Sequence, residues 1–265
     1  MDIMAARVVL IDGFTLQLGG EGPGASVVDL PRAVQRLVAY VGLSHRPART
    51  AVAGQLWPDV SDARAQSSLR SALWRLQKAA PGLLDASAGT LTLARGVRVD
   101  VHELTSWAER VLDPRFDVDE VVLPGVVRSG ELLPGWYDDW VLLQREHLRQ
   151  LRLPALEVLA VKLGRAGRYG EAVQAAHAAV RAEPLRETAH RVLVRIHLAE
   201  GNVAEALRAY ESFRTVLLEE LGVAPTSRME ALISSFRRAQ PVRALFPAEP
   251  RRPAEVQRSR RAGRP

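Results

Sequence analysis

The 265-residue sequence contains no cysteine. That excludes disulfides, thiolate metal sites and a cysteine nucleophile, and suits a reducing cytoplasm. Long apolar runs are also missing: nothing approaches the roughly 18 consecutive apolar residues of a membrane span. The N-terminal stretch has an acid at Asp2 and no apolar core, so a signal peptide is not expected. The glycine-rich loop at 19–25 lacks the Lys-Ser/Thr ending that a phosphate-cradling loop needs, which argues against nucleotide binding there. Six histidines form no His-Glu-x-x-His, and Glu187-x-x-His190 occurs once where a di-iron bundle needs two copies. We expect that pair to be a surface or interhelical contact. No Gly-x-Ser-x-Gly or triad order appears, so catalytic residues, cofactors and metals are all expected to be none.

Charge is present but uneven. The net charge of +6 divides into +4 over residues 1–99, −3 over 100–240 and +5 over 241–265. A basic N-terminal part beside a slightly acidic middle places any polyanion binding at the N-terminus.

The N-terminal part reads as strands, three helices and a hairpin. Residues 7–18 suggest short strands about an Asp12-Gly13 turn, and Ser26–Leu30 a further strand. The first helix starts at Pro31 with Val34, Leu37, Val38 and Val41 on one face, and stops near Gly42. The second runs from about Thr50 to Trp57, ended by Pro58.

The third helix spans about 62–80. Ala65, Leu69, Ala72, Leu73 and Leu76 fall on one stripe. The opposite side carries Arg64, Ser67, Ser71, Trp74, Arg75 and Lys78, without a carboxylate. Asp62 is placed to cap the first turn. Cations with short donors suit phosphate oxygens and base edges in a major groove, although a solvated helix face has the same look. The order of elements decides: residues 83–94 form a hairpin through Ser87-Ala88-Gly89, and three helices closed by a hairpin make a winged helix-turn-helix whose third helix enters the groove.

Beyond Val101 the sequence turns helical. Trp136, Tyr137 and Trp140 gather within five residues, read as an aromatic plug at a helix start, with Asp138 and Asp139 as caps. From Val141 to Phe236 the pattern is helical almost throughout. Gly167 to Ala172 matches Gly201 to Ala206 at a spacing of 34, the tetratricopeptide period, with Pro184 closing the first copy. Residues 141–163 and 223–238 are expected to flank the repeats. Stacked helix pairs leave a concave surface and imply a protein partner. The proline- and arginine-rich tail 241–265 is expected to be disordered. The expected fold is therefore mainly α: a winged helix-turn-helix domain (α+β) over 1–99, an all-α tetratricopeptide-like domain over 100–240, and the basic tail.

This layout resembles the Streptomyces antibiotic regulatory protein family, in which an OmpR-like winged helix precedes a bacterial transcriptional activation domain. The resemblance covers about residues 5–238. It rests on Leu56-Trp57-Pro58, Arg64, Leu69 and Trp74-Arg75-Leu76, and more specifically on Leu132-Leu133-Pro134-Gly135-Trp136, Gly167-Arg168-Tyr169, the Glu-Ala pairs and Leu221-Gly222-Val223-Ala224-Pro225. It implies a cytoplasmic, nucleoid-associated activator of a biosynthetic gene cluster. Its partners would be double-stranded promoter DNA with direct repeats, RNA polymerase holoenzyme, and a second protomer on the DNA. The helix positions that match DNA contacts are Arg64, Ser67, Ser68, Arg70, Ser71, Arg75 and Lys78, joined by Arg49, Thr50, Arg95 and Arg98 around the second helix and the wing. Trp74 departs from the small hydroxyl residue expected there, and the loop at 19–25 is a second departure. No ATPase extension, phosphopeptide-binding extension or receiver domain is visible. The alternative is a repeat-based adaptor whose winged helix does not read DNA.

Overall fold

The structure is a computed structural model that describes residues 6–19, 26–116, 118 and 130–239. Most of the loop at 19–25 and the whole tail 241–265 lie outside the described residues, so the expectations for them are untested. The chain divides into two compact units, Met1–Ala224 and Pro225–Pro265.

In the first unit, β1 (Ala6–Val9) and β2 (Thr15–Leu18) pair antiparallel with Val9 opposite Thr15. Asp12 (φ +64°) and Gly13 (φ +129°) make the reversal between them, as the Asp-Gly signal predicts. β3 (Ser26–Val28) adds to β2. Three helices follow: α1 (Arg32–Leu43), α2 (Arg49–Leu56) and α3 (Asp62–Ala79). Pro31 stands just before α1, and its carbonyl accepts the first helical bonds from Val34 and Gln35. Val34, Leu37, Val38 and Val41 are buried as their spacing requires, and so are Val52 and Leu56 of α2.

The hairpin of β4 (Leu84–Asp85) and β5 (Thr92–Leu93) turns through Ala88 and Gly89, both at positive φ. The extended piece after it shortens to β6 (Arg98–Val99), which runs parallel to β1 and completes a sheet of order β3-β2-β1-β6.

α4 (Asp100–Leu112) is fastened to the sheet by a buried carboxylate. Asp100 accepts backbone N–H bonds from Leu10, Ile11 and Val101 at 2.8–3.0 Å. Burial pushes this carboxyl above the usual carboxylate range, against the pull of those donors.

Four helices then pack one on the next: α5 (Asp139–Arg165), α6 (Tyr169–Ala182), α7 (Glu187–Glu200) and α8 (Val203–Leu221). The repeat is visible in the backbone. Gly167 and Gly201 both sit in the left-handed region (φ +75° and +87°). Arg168 N–H reaches back to Leu163 C=O at 3.0 Å, and Asn202 N–H to His197 C=O at 2.8 Å, the same closing bond 34 residues apart. Buried Ala172, Ala175, Ala176, Ala178 and Ala179 let α6 approach its neighbours closely.

Residues 141–163 are more than a flank. They belong to one continuous helix that packs on α4 and serves as the first helix of the first pair. In the second unit, α9 spans Ser227–Ala239.

Two further expectations are corrected. Trp136 and Trp140 are buried and meet edge to face at 6.3 Å, but Tyr137 is 80% exposed and takes no part in the plug. His190 is buried, donating Nε2–H to Pro184 C=O at 2.9 Å and stacking on Phe213 at 4.2 Å, while Glu187 pairs with Arg191. Glu187 and His190 thus do not pair with each other: Glu187 is in a largely covered ion pair within its own helix, and His190 makes an interhelical contact in the core.

Candidate nucleic-acid interface

α3 is set by its apolar stripe. Ala65, Leu69, Ala72 and Leu76 are buried, and Leu73 packs half-buried against the same core. Fixing that side turns the other outward. Arg64, Ser67, Arg70, Ser71, Trp74, Arg75 and Lys78 are exposed, with Ser68 half-buried at the margin. Leu69, fully buried, anchors the arrangement; replacing such a leucine by alanine costs about 2–5 kcal/mol. The residue that caps α3 is Ser61, without a side-chain hydrogen bond, so Asp62 contributes only a negative charge to the first turn.

Among the described residues, Arg64, Arg70 and Arg75 have no carboxylate partner, and Lys78 lies over the Trp74 ring, 4.0 Å from its centroid. In contrast, Arg149 binds Glu146 and Glu183, Arg168 binds Glu171, and Arg186 binds Glu157. Trp74 is 59% exposed and does not fold back onto the protein.

The wing is pinned to the start of α2. Arg49 N–H donates to Gly89 C=O at 2.9 Å, and Leu91 N–H to Pro47 C=O at 3.0 Å. Arg49 and Thr50 therefore stand beside the wing turn.

Arg95 and Arg98 lie elsewhere. Arg95 is exposed at the base of the hairpin, in a groove it shares with His45 and Arg46, and Arg46 is an exposed cation that the sequence reasoning passed over. Arg98 belongs to β6, and Glu103 holds its guanidinium at 2.6 Å while also binding Arg7. A spacing of three residues along the chain could not reveal that separation.

No helix among the described residues is long and apolar enough to cross a membrane. No group of three or more metal-ligating side chains occurs among them.

Three helices closed by a hairpin, followed by stacked helix pairs, make a winged helix-turn-helix joined to a helical-repeat part. Residues 129–237 match the bacterial transcriptional activator domain. The chain is 30% identical over 229 residues to the regulatory protein AfsR of Streptomyces coelicolor and 30% over 224 residues to AfsR of Streptomyces griseus, covering 81% and 77% of this chain. It spans only 23% and 22% of those relatives' own length. Its fold matches that of Mycobacterium tuberculosis EmbR, solved in complex with a low-affinity phosphopeptide, with a TM-score of 0.64 at 19% identity over 90% of this chain and 66% of that one. The activator-domain match and the likeness to the two AfsR proteins support a transcriptional regulator of the Streptomyces antibiotic regulatory protein kind.

Proposed function

We propose that the chain is a sequence-specific DNA-binding transcriptional activator. Residues 1–99 hold promoter direct repeats, with α3 in the major groove and the wing on the backbone. Residues 100–240 are the activation part, which recruits RNA polymerase holoenzyme, with protomers side by side on the DNA. A biosynthetic gene cluster is the regulated target, and the protein works at the nucleoid.

The observation that carries this proposal is the outward face of α3, where Arg64, Arg70 and Arg75 have no carboxylate partner among the described residues. Free guanidiniums beside short hydroxyl side chains supply both phosphate contacts and base-edge donors. Arg49 and Thr50, next to the wing, extend the positive surface along the duplex. Arg98, held by Glu103, contributes least.

A shift assay at fixed salt, comparing promoter fragments with random duplexes, tests the proposal. A preference on the order of 10³-fold is expected. Equal affinity for both would overturn it. A protein partner retained after DNase treatment and after loss of Arg64, Arg75 and Lys78 would favour the adaptor alternative.

A further inference from the structure

Ser67, Ser71, Trp74 and Lys78 follow one another at i, i+4, i+7 and i+11, so they form the crest of the outward face of α3. Ser71 Oγ–H is turned back to the Ser67 carbonyl at 3.1 Å. The group that protrudes between Ser71 and Lys78 is the indole of Trp74, the one large exposed apolar side chain on α3. Its flanking positions are Arg70, Ser71, Gln77 and Lys78, which are all polar. The ring is therefore not part of an apolar patch suited to another protein's core. Lys78 lies over the ring with its ammonium 4.0 Å from the centroid, the distance of a cation–π contact, and Trp74 remains 59% exposed.

A crest residue of a helix in the major groove meets the groove floor, where base edges lie. The one apolar group on those edges is the C5-methyl of thymine. On this basis, and resting on the DNA-binding proposal above, we infer that Trp74 reads thymine by closing its exposed ring on that methyl. Lys78 is the positioning residue that holds the ring. Arg64 and Arg75, on either side, supply the charge contacts that a tryptophan cannot make. The base preference at this position therefore comes from an apolar contact and not from a hydrogen bond.

The experiment has two stages. Full-length wild-type protein and Trp74→Ala are each used to select sequences from random duplexes, and the wild-type site is then scanned by replacing one thymine at a time with uracil. Uracil keeps every hydrogen-bonding group and removes only the methyl. For the wild type we expect one or two positions where uracil weakens binding about fourfold, the value of one buried methyl-sized group. Those positions should lose their effect in Trp74→Ala. Lys78→Met should shrink the uracil penalty, and Lys78→Arg should restore it. Because Trp74 and Lys78 are exposed, thermal melts of the variants should match the wild type. Coincident uracil scans for wild type and Trp74→Ala, with selection intact, overturn the thymine inference alone. Failure of the wild type to select any sequence overturns the DNA-binding proposal as well.

Discussion

The guanidinium of Arg36 on α1 binds the carboxylate of Asp138, the residue immediately before α5, with both side chains largely covered. The two are 102 residues apart. Around this pair, Asp12 N–H donates to Glu131 C=O at 2.9 Å and Leu133 N–H to Leu10 C=O at 2.8 Å. Trp136 stacks on Phe14 at 6.3 Å under the guanidinium of Arg32, 3.5 Å from the ring centroid, and Trp140 meets Tyr40 at 5.3 Å. The loop before the helical repeats is thus built onto α1, which packs on α3, and onto the β1–β2 turn.

Breaking that pair should weaken the winged-helix part although Asp138 lies outside it. Asp138→Ala leaves the largely covered Arg36 guanidinium without its carboxylate. We expect a loss of about 1–2 kcal/mol, discounted from a fully buried pair for residual solvent. Urea denaturation of Asp138→Ala, Arg36→Met and the double variant checks it: the double variant should cost less than the sum of the two.

Gly130 is required by backbone and by space. Its φ is +119°, and a Cβ there would stand 2.3 Å from Ile11 Cγ2 and 2.9 Å from both Asp12 carboxylate oxygens. Gly130→Ala should destabilise by at least about 2 kcal/mol, since both strain and overlap act. A thermal melt within a degree of the wild type would contradict this.

Acid should loosen the repeats. Burial lowers the pKa of His190 against the opposing pull of the Pro184 carbonyl, and burial with Arg181 and His197 nearby lowers that of His177. Both folded values then lie below the unfolded value of about 6.5. The unfolded chain binds more protons in that window, so stability is complete above about pH 6.5 and falls as the pH drops below it. Melting temperatures measured from pH 7.5 to 5 should decline. His190→Gln, which keeps a donor for Pro184, should flatten the decline.

Much of this architecture was legible in the sequence because it rests on local periodicity. The stripe Ala65-Leu69-Ala72-Leu76 fixes the outward side of α3 whatever packs against it, and the 34-residue repeat of glycine and Glu-Ala fixes the helix pairs. What was not legible depends on partners far away in the chain. Asp138 occupies the cap position of α5, but Arg36 claims its carboxylate. Asp100 drew no notice because its donors are main-chain N–H groups of Leu10 and Ile11, some 90 residues earlier. Tyr137 shares its neighbours' composition and not their direction: Leu133 and Gly135 at positive φ turn the loop so that Trp136 and Trp140 point inward and Tyr137 points out. Arg95 and Arg98 looked like one wing in sequence, yet β6 leaves the hairpin to join β1.

The central claim, that the free cations of α3 bind DNA, is tested most directly by how affinity changes with salt. Each phosphate neutralised contributes about −0.9 to the slope of log affinity against log salt. Arg64→Gln, Arg70→Gln and Arg75→Gln should each make that slope shallower by up to about 0.9, and the three together should remove most of the affinity for duplex DNA. A triple variant that melts like the wild type and binds DNA with an unchanged slope and affinity would contradict the account.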